Sequence, residues 1–171
     1  MGAGKTTIGK KLAELCGLEF IDSDHEIELR TGVDIPYIFE KEGEDGFRRR
    51  EQAVIADLTL RSGIVLATGG GAVLLPENRK HLAARGAVVY LHAGLQQQLQ
   101  RTERSDNRPL LQGGDRQEIL ARLFVHRDPL YREVADLVVE TDGKNARQLA
   151  REIEDFLHGP GSADTADQNA V

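Results

Sequence analysis

The chain has few cysteines, few aromatic residues and no long apolar run, and each shortage excludes a class of function. Cys16 is the only cysteine among 171 residues, so an intramolecular disulfide and a cysteine-based metal site are both excluded. No apolar run approaches the roughly 20 residues that span a bilayer, and the glycine-rich start of the chain does not resemble a signal peptide. We therefore expect a cytoplasmic protein with no membrane partner.

An excess of positive charge is also missing. The 22 Lys and Arg residues are outnumbered by 28 Asp and Glu residues, which gives a formal net charge of -6. Such a surface disfavours sequence-independent binding to phosphate backbones, so no nucleic-acid partner is expected. Hydrophobic residues make up 40% of the chain and charged residues 29%. This balance is typical of a folded protein, and the length suits one domain.

Helix and strand patterns alternate along the chain, which is typical of α/β proteins with a mostly parallel sheet. The predicted strands cover residues 18–21, 64–67, 87–91 and 137–140, and the predicted helices include 6–16, 76–85 and 145–157. Between residues 24 and 62 a long helical pattern is interrupted at Gly32, at Pro36 and around Gly43, which favours three helices. Residues 159–171 are mostly small and polar, and we predict a disordered tail.

A phosphate-binding turn opens the chain. Its residues match the second half of a P-loop and lead directly into the first predicted helix: Gly2, Ala3, Gly4, Lys5, Thr6 and Thr7. Glycines let backbone N–H groups surround a phosphate, and the helix N-terminus adds partial positive charge. Lys5 is expected to reach the β- and γ-phosphates of a nucleotide, and Thr6 to bind Mg²⁺. The alternative is a glycine-rich helix start with an exposed lysine.

The first half of that motif is not found in the chain. The first P-loop glycine belongs five positions before Gly4, which lies ahead of Met1. The apolar strand that feeds such a loop is missing too, and burying about five apolar side chains supplies stability comparable to that of a whole domain. We therefore expect that Met1 is an internal methionine and that the natural protein begins roughly ten residues earlier.

Two carboxylates and three glycines follow predicted strands, at the sheet edge where α/β proteins bind ligands. Asp22 and Asp24 alternate along an extended segment, so both can face the phosphate turn, one near Mg²⁺ and one near an acceptor hydroxyl. The alternative is that Asp24 only caps the next helix. The run Gly69–Gly71 permits close backbone approach to a ligand, although a tight loop without a ligand has the same composition.

Arginines recur at three further places. Arg48 is the first of three consecutive arginines, and spacing alone does not choose among them. Arg101 and Arg108 lie in or beside a polar, irregular stretch that suits a lid over phosphates, with a plain surface loop as the alternative. Arg127 lies near a predicted helix end and could present its guanidinium group to a carboxylate.

Six short motifs, taken in order, resemble shikimate kinases. They are Gly-Ala-Gly-Lys-Thr-Thr at 2–7, Asp-Ser-Asp at 22–24, Gly-Phe-Arg-Arg at 46–49, Gly-Gly-Gly at 69–71, Arg-Pro-Leu-Leu at 108–111 and Arg-x-Pro-Leu-Tyr at 127–131. The resemblance implies a three-layer α/β P-loop kinase fold, with helices on both faces of a five-stranded parallel sheet whose first strand is absent from this chain. It also implies one kinase domain over residues 1–158, a substrate-binding helical segment at about 24–62 and a lid at about 102–116.

The resemblance implies a reaction as well. An enzyme of this family phosphorylates the 3-hydroxyl of shikimate with ATP, in the biosynthesis of chorismate and the aromatic amino acids. ATP would be bound by residues 2–7, by Arg101 near the adenine and by Arg108 on the lid, with one Mg²⁺ held by Thr6 and Asp22. Lys5, Asp24 and Arg108 would be catalytic, and we expect a monomer.

The acceptor side of the site follows from the same resemblance. Arg48 and Arg127 would bind the shikimate carboxylate, which settles the choice among the three consecutive arginines. Asp24 would bind the hydroxyl groups and act as the candidate base, and Gly70 would contact shikimate through its backbone.

Two other functions stay open at this stage. One is a different small P-loop kinase, acting on gluconate or a nucleoside monophosphate. Two arginines and an aspartate fit a carboxylated polyol better than a nucleotide, whose base would need an aromatic pocket, and aromatic residues are only 5% here. The other is a nucleotide-binding fragment without catalytic activity.

Overall fold

The structure is a computed structural model that describes residues 2–102 and 115–159. Its helices are α1 Lys5–Cys16, α2 Ser23–Thr31, α3 Ile35–Leu58, α4 Pro76–Arg85, α5 Leu95–Thr102, α6 Arg116–Val134 and α7 Ala146–His158. Its strands are β1 Glu19–Asp22, β2 Ile64–Ala67, β3 Val89–His92 and β4 Leu137–Glu140, and a 3-10 turn covers Ala72–Leu74. None of these described helices has both the length and the apolar character that a membrane span requires.

The strands form two parallel pairs. In the first pair Glu19 of β1 lies opposite Ile64 of β2, and in the second Val89 of β3 lies opposite Leu137 of β4. Within residues 2–102 and 115–159, no strand joins β2 to β3. The predicted α/β class with parallel strands is confirmed, and β2 and β4 have the predicted bounds.

Helices cover both faces of β2, as the predicted three-layer fold requires. Val65 packs against a core cluster that α1 and α7 build around Ile8 and Leu149. Its neighbours Ile64 and Leu66 point to the other face, where α2 and α3 form a second cluster. Since both faces of the strand are buried, a continuous apolar run is the expected sequence pattern.

The helical segment between residues 24 and 62 breaks at two of the three predicted places. Gly32 ends α2 with φ 72°, and Gly43 kinks α3 with φ 68°, values that only glycine adopts easily. Pro36 does not interrupt a helix, because it lies in the first turn of α3, where no N–H donor is needed. Most of the buried residues of α3, including Arg48, lie in the half of the helix after the kink.

Helix α5 was not predicted from the sequence, and α6 was expected only as a helix with one end near Arg127. Helix α5 ends at Thr102 and α6 begins at Arg116, so the ends of the predicted lid at 102–116 belong to helices. The rest of that lid lies outside the described residues, as does the predicted tail beyond Gly159. Arg127 was expected near a helix end but lies inside α6, which continues through Pro129.

The second core cluster generates a stability prediction. Leu58 is fully buried, whereas Leu60 is 71% exposed. Leu58→Ala should lower the free energy of unfolding by about 2–5 kcal/mol, because it leaves a cavity. Leu60→Ala is the matched control and should change it by less than about 0.5 kcal/mol. Urea unfolding measures both, and equal losses would contradict the packing described here.

Candidate functional site

The phosphate turn curls at two glycines. Gly2 has φ 69° and Gly4 has φ 84°, in the left-handed region that suits glycine. The carbonyl of Gly4 accepts the first helical hydrogen bond of α1 from the N–H of Ile8, at 3.0 Å. Helix α1 begins at Lys5, one residue before the predicted start. Lys5 is therefore fixed at the N-terminal end of the helix.

Asp22 links the phosphate turn to the acceptor side of the site. The hydroxyl of Thr6 donates to Oδ2 of Asp22 at 3.3 Å, and Oδ1 of Asp22 accepts from the N–H of Asp24 at 3.0 Å. The second contact makes Asp22 the N-cap of α2, so the alternative in which Asp24 caps that helix is wrong. The extended conformation expected at Asp24 is also wrong, because β1 ends at Asp22 and Asp24 lies in the first turn of α2.

Asp24 is placed to accept a proton. Burial raises the pKa of Asp24 and the nearby Asp22 carboxylate raises it further, while the positive charges of Lys5 and Arg48 partly oppose them. Its Oδ1 atom is buried and has no hydrogen bond to the described part of the chain. A carboxylate with a raised pKa and a vacant acceptor position suits general-base chemistry.

Arg48 is held from two sides. Its Nη1 donates to Oε2 of Glu51 at 2.6 Å, and its Nη2 donates to Oε1 of Glu44 at 2.9 Å. Burial acts to lower the pKa of Arg48, but these two carboxylates outweigh it, so the pKa lies above its ordinary value. Arg49 is exposed and Arg50 pairs with Glu42, so among the three consecutive arginines only Arg48 is buried at the site.

Glu51 was missed by the sequence reasoning. It is fully buried, and burial raises its pKa despite the attraction of Arg48. Its second oxygen, Oε1, has no hydrogen bond to any described residue. A glutamate three residues after an arginine on one helix is a common surface pair. The spacing therefore predicts the contact between Glu51 and Arg48, but it does not predict that Glu51 is buried.

Two of the three glycines, Gly69 and Gly71, lie directly against charged side chains of the site. A Cβ on Gly69 would lie 2.6 Å from Oδ1 of Asp24 and 2.9 Å from Oε1 of Glu51. A Cβ on Gly71 would lie 2.3 Å from the Nη atoms of Arg48. Gly69 and Gly71 are therefore required by the close approach of charged groups, which a tight loop with no further role would not explain.

Arg127 reaches the same loop from α6. Its Nη1 donates to the carbonyl oxygen of Gly70 at 3.1 Å, and the hydroxyl of Tyr131, one turn later, donates to the same oxygen. Tyr131 stacks on Tyr90 of β3, with ring centroids 4.7 Å apart. Tyr131 is a second residue that sequence reasoning missed, although it lies within the quoted Arg-x-Pro-Leu-Tyr motif.

The described groups converge at one rim of the sheet. Three buried polar atoms lack hydrogen bonds to the described residues and lie around the glycine run: Asp24 Oδ1, Glu51 Oε1 and Arg127 Nε. Buried polar atoms are normally paired, so a cluster of three marks a place for a polar ligand or water. Lys5 and Arg127 line one continuous cavity that also includes Gly70. Arg108 lies outside the described residues, and at Arg101 the structure describes the backbone alone.

The chain is similar to proteins of one known family. The family model described as shikimate kinase matches residues 1–158. A shikimate kinase of Halorhodospira halophila is 61% identical over 162 residues, which is 95% of this chain and 92% of the relative. A shikimate kinase of Pseudomonas syringae pv. tomato is 60% identical over 153 residues, or 90% and 89%.

Solved structures agree with these matches. The shikimate kinase from Acinetobacter baumannii in complex with shikimate is 56% identical, with a TM-score of 0.90 over 92% of this chain and 88% of that one. The shikimate kinase from Aquifex aeolicus is 34% identical, with a TM-score of 0.81 over 93% and 92%.

The glycine run generates a prediction about Arg48. Gly71→Ala should displace the Arg48 guanidinium group, because the new methyl group would overlap it, and should cost about 1–3 kcal/mol of stability. Gly86→Ala is the matched control, since a Cβ there meets open space and its φ of 178° suits any residue. The Arg48 Nε–H signal in an NMR spectrum reports the displacement. An unchanged signal in Gly71→Ala would contradict the close contact.

Proposed function

We propose a reaction for this site from one premise: the chain belongs to the shikimate kinase family, and it is an ATP-dependent kinase. The reaction is transfer of the γ-phosphoryl group of ATP to the 3-hydroxyl of shikimate, in the biosynthesis of chorismate and the aromatic amino acids. One observation carries the proposal. Two buried guanidinium groups, Arg48 and Arg127, and the half-buried carboxylate of Asp24 lie around the glycine run 69–71.

The arginines fit the acceptor's carboxylate. A guanidinium group binds a carboxylate through two parallel N–H donors, which a lysine cannot reproduce. Arg48 keeps its charge because Glu51 and Glu44 hold it in place, and Arg127 has a buried Nε with no hydrogen bond to the described residues. We assign both to the shikimate carboxylate. Gly70, which Arg127 contacts, is assigned to the substrate through its backbone.

The nucleotide side of the proposal rests on the helix N-terminus. Gly2, Ala3, Gly4, Lys5, Thr6 and Thr7 would surround the ATP phosphates with N–H donors and one ammonium group. Arg101 near the adenine and Arg108 over the phosphates complete the assignment, from the family resemblance alone. Closure of the lid over residues 102–116 would exclude water, which otherwise competes with shikimate for the phosphoryl group.

Thr6 and Asp22 fit a magnesium ion. Both offer oxygen atoms, which Mg²⁺ prefers, and Thr6 Oγ1 lies 3.3 Å from Asp22 Oδ2. Mg²⁺ usually keeps several waters and takes only one or two protein ligands beside phosphate oxygens. When bound, it neutralises part of the charge on the transferring phosphates. Thr6 is assigned as the protein ligand and Asp22 to the outer shell.

Asp24 is assigned as the base. As the shikimate oxygen forms its bond to the γ-phosphorus, its proton passes to Asp24, and the bond from phosphorus to the bridging oxygen of ADP breaks. Lys5 lies near enough to Asp24 to influence its pKa, so the ammonium group and the base act on neighbouring atoms. Lys5 and Arg108 would hold the negative charge of the moving phosphoryl group.

We also propose that one kinase domain, residues 1–158, acts as a monomer in the cytoplasm. The family model matches the same residues.

The reaction is tested by ADP release. With ATP and Mg²⁺, shikimate should raise ADP release at least about 100-fold over the rate without an acceptor, because correct positioning of the hydroxyl and the phosphate is the main source of catalysis. Gluconate and a nucleoside monophosphate serve as control acceptors and should give no increase. Absence of ADP release with every acceptor would favour a nucleotide-binding fragment without catalytic activity, and a response to gluconate would favour a different kinase.

Asp24→Asn tests the base. We expect kcat to fall by about 10²–10⁴-fold with a much smaller change in KM, because the amide cannot accept the proton. Asp24 works only when deprotonated, and its pKa is raised above 3.8, so wild-type kcat should increase with pH through a midpoint above that value. The variant should lose this limb. Exposed Asp45→Asn is the control, and near-normal kcat in Asp24→Asn would exclude the base role.

A further inference from the structure

Arg127 is held in place differently from Arg48. Arg48 is fixed by two carboxylates, those of Glu51 and Glu44. Arg127 is only 5% exposed, yet in the part of the chain that the structure describes it forms no ion pair. Its Nη1 donates to the carbonyl oxygen of Gly70, and its buried Nε has no described partner. The position of this guanidinium group therefore depends on a neutral carbonyl group and not on a carboxylate.

That carbonyl group is held by Tyr131. The Tyr131 hydroxyl donates to the same oxygen of Gly70 as Arg127 does. Arg127 and Tyr131 are four residues apart in α6, so both side chains lie on one face of the helix. A carbonyl oxygen has two lone pairs, and here each has a donor. Tyr131 thus fixes the Gly70 carbonyl relative to the helix that carries Arg127.

The ring of Tyr131 is fixed as well. It stacks on Tyr90 of β3, with ring centroids 4.7 Å apart. The hydroxyl of Tyr90 donates to Oδ1 of Asp128 at 2.9 Å, and Oδ2 of Asp128 accepts from Nε of Arg132 at 2.8 Å. The two tyrosines therefore share one stack, but their hydroxyl groups have different partners. Of the two, Tyr131 is the one whose hydroxyl reaches the glycine run.

The Tyr131 hydroxyl stays a donor well above neutral pH. Burial raises the pKa of Tyr131, and the neighbouring Arg127 guanidinium group opposes this only in part. Glu51 and Arg48 also influence this pKa, with opposite signs, so the hydroxyl lies within electrostatic range of both arginines. Because burial favours the uncharged form of a phenol, the O–H bond to Gly70 persists.

We propose that Tyr131 is a positioning residue for the carboxylate of the acceptor. It acts through Gly70: while its hydroxyl holds the carbonyl group, Arg127 keeps a fixed position and its Nε–H stays available to the ligand. This role rests on the proposed function, in which Arg127 binds the shikimate carboxylate. Loss of the hydroxyl should therefore weaken recognition of that one group and leave the nucleotide side unaffected.

Tyr131→Phe tests this role, because it removes the hydroxyl and keeps the stacked ring. Tyr90→Phe is the matched control, since it removes a half-buried hydroxyl from the same stack that does not contact Gly70. Titration calorimetry measures the binding of two probes, shikimate and its methyl ester, which lacks the negative charge. Thermal unfolding and the KM for ATP are measured alongside, to detect a general loss of structure.

We expect Tyr131→Phe to bind shikimate about 5- to 50-fold more weakly than the wild type, the range for a lost hydrogen bond near a charged group. Affinity for the ester should change less than about twofold and kcat less than about threefold, because the carboxylate is bound equally in the ground and transition states. The KM for ATP and the unfolding temperature should stay as in the wild type, and Tyr90→Phe should bind both probes normally.

Equal losses of affinity for shikimate and the ester in Tyr131→Phe would overturn the positioning role, because Tyr131 would then act on the pocket as a whole. An equal loss in Tyr90→Phe would overturn it too, since the stack would then be responsible. A wild-type preference for shikimate that persists in Tyr131→Phe would overturn this role alone. Wild-type protein that binds the two probes equally would overturn the assignment of Arg127 to a carboxylate, and the role of Tyr131 with it.

Discussion

The buried ion pair between Arg48 and Glu51 is the contact on which the acceptor side of the site depends. A buried pair is costly to break, at about 3–5 kcal/mol, because one charge is left without a partner. The pair also fixes the position of the Arg48 side chain. It keeps a guanidinium group beneath the glycine run, where burial and, to a lesser extent, the nearby Asp24 carboxylate raise the pKa of Glu51. A side chain at Gly69 or Gly71 would separate these groups.

The glycine run therefore acts as a spacer between charges. Gly69 lies against two carboxylates and Gly71 against one guanidinium group, so the loop borders groups of opposite charge at adjacent positions. Gly70, between them, turns its carbonyl to Arg127 and Tyr131. Three elements, α2, α3 and α6, meet at this loop, which explains how a site from distant parts of the chain is held together.

Much of the fold could be predicted because its signals are local. The bounds of α4 and β4 and the glycine end of α1 follow from residues within one turn, such as Pro76 and Gly17. Helix α6 was missed as a long element because Pro129 suggests an early end, although its missing N–H costs only one hydrogen bond inside a packed helix. Helix propensity is a weak predictor of helix ends where tertiary packing determines them.

The site could be predicted in its residues but not in its contacts. Sequence spacing did not separate Arg48 from Arg49 and Arg50, since the choice depends on the kink at Gly43 and on which face of α3 meets the core. The capping of α2 depends on tertiary structure in the same way. Either aspartate could cap α2, and only the end of β1 decides which one does. Burial of Glu51 is a tertiary property with no local signal.

Helix α6 connects the segment proposed as the lid with the part of the site around Arg127. It begins at Arg116, at the edge of the segment assigned as the lid, and carries Arg127 eleven residues later, about 16 Å along a rigid rod. Because Arg127 and Tyr131 of the same helix bind Gly70, a tilt of its first turn would also move the groups that we propose for the shikimate carboxylate. Binding of the nucleotide and binding of the acceptor would then be coupled through α6, without direct contact between the two ligands.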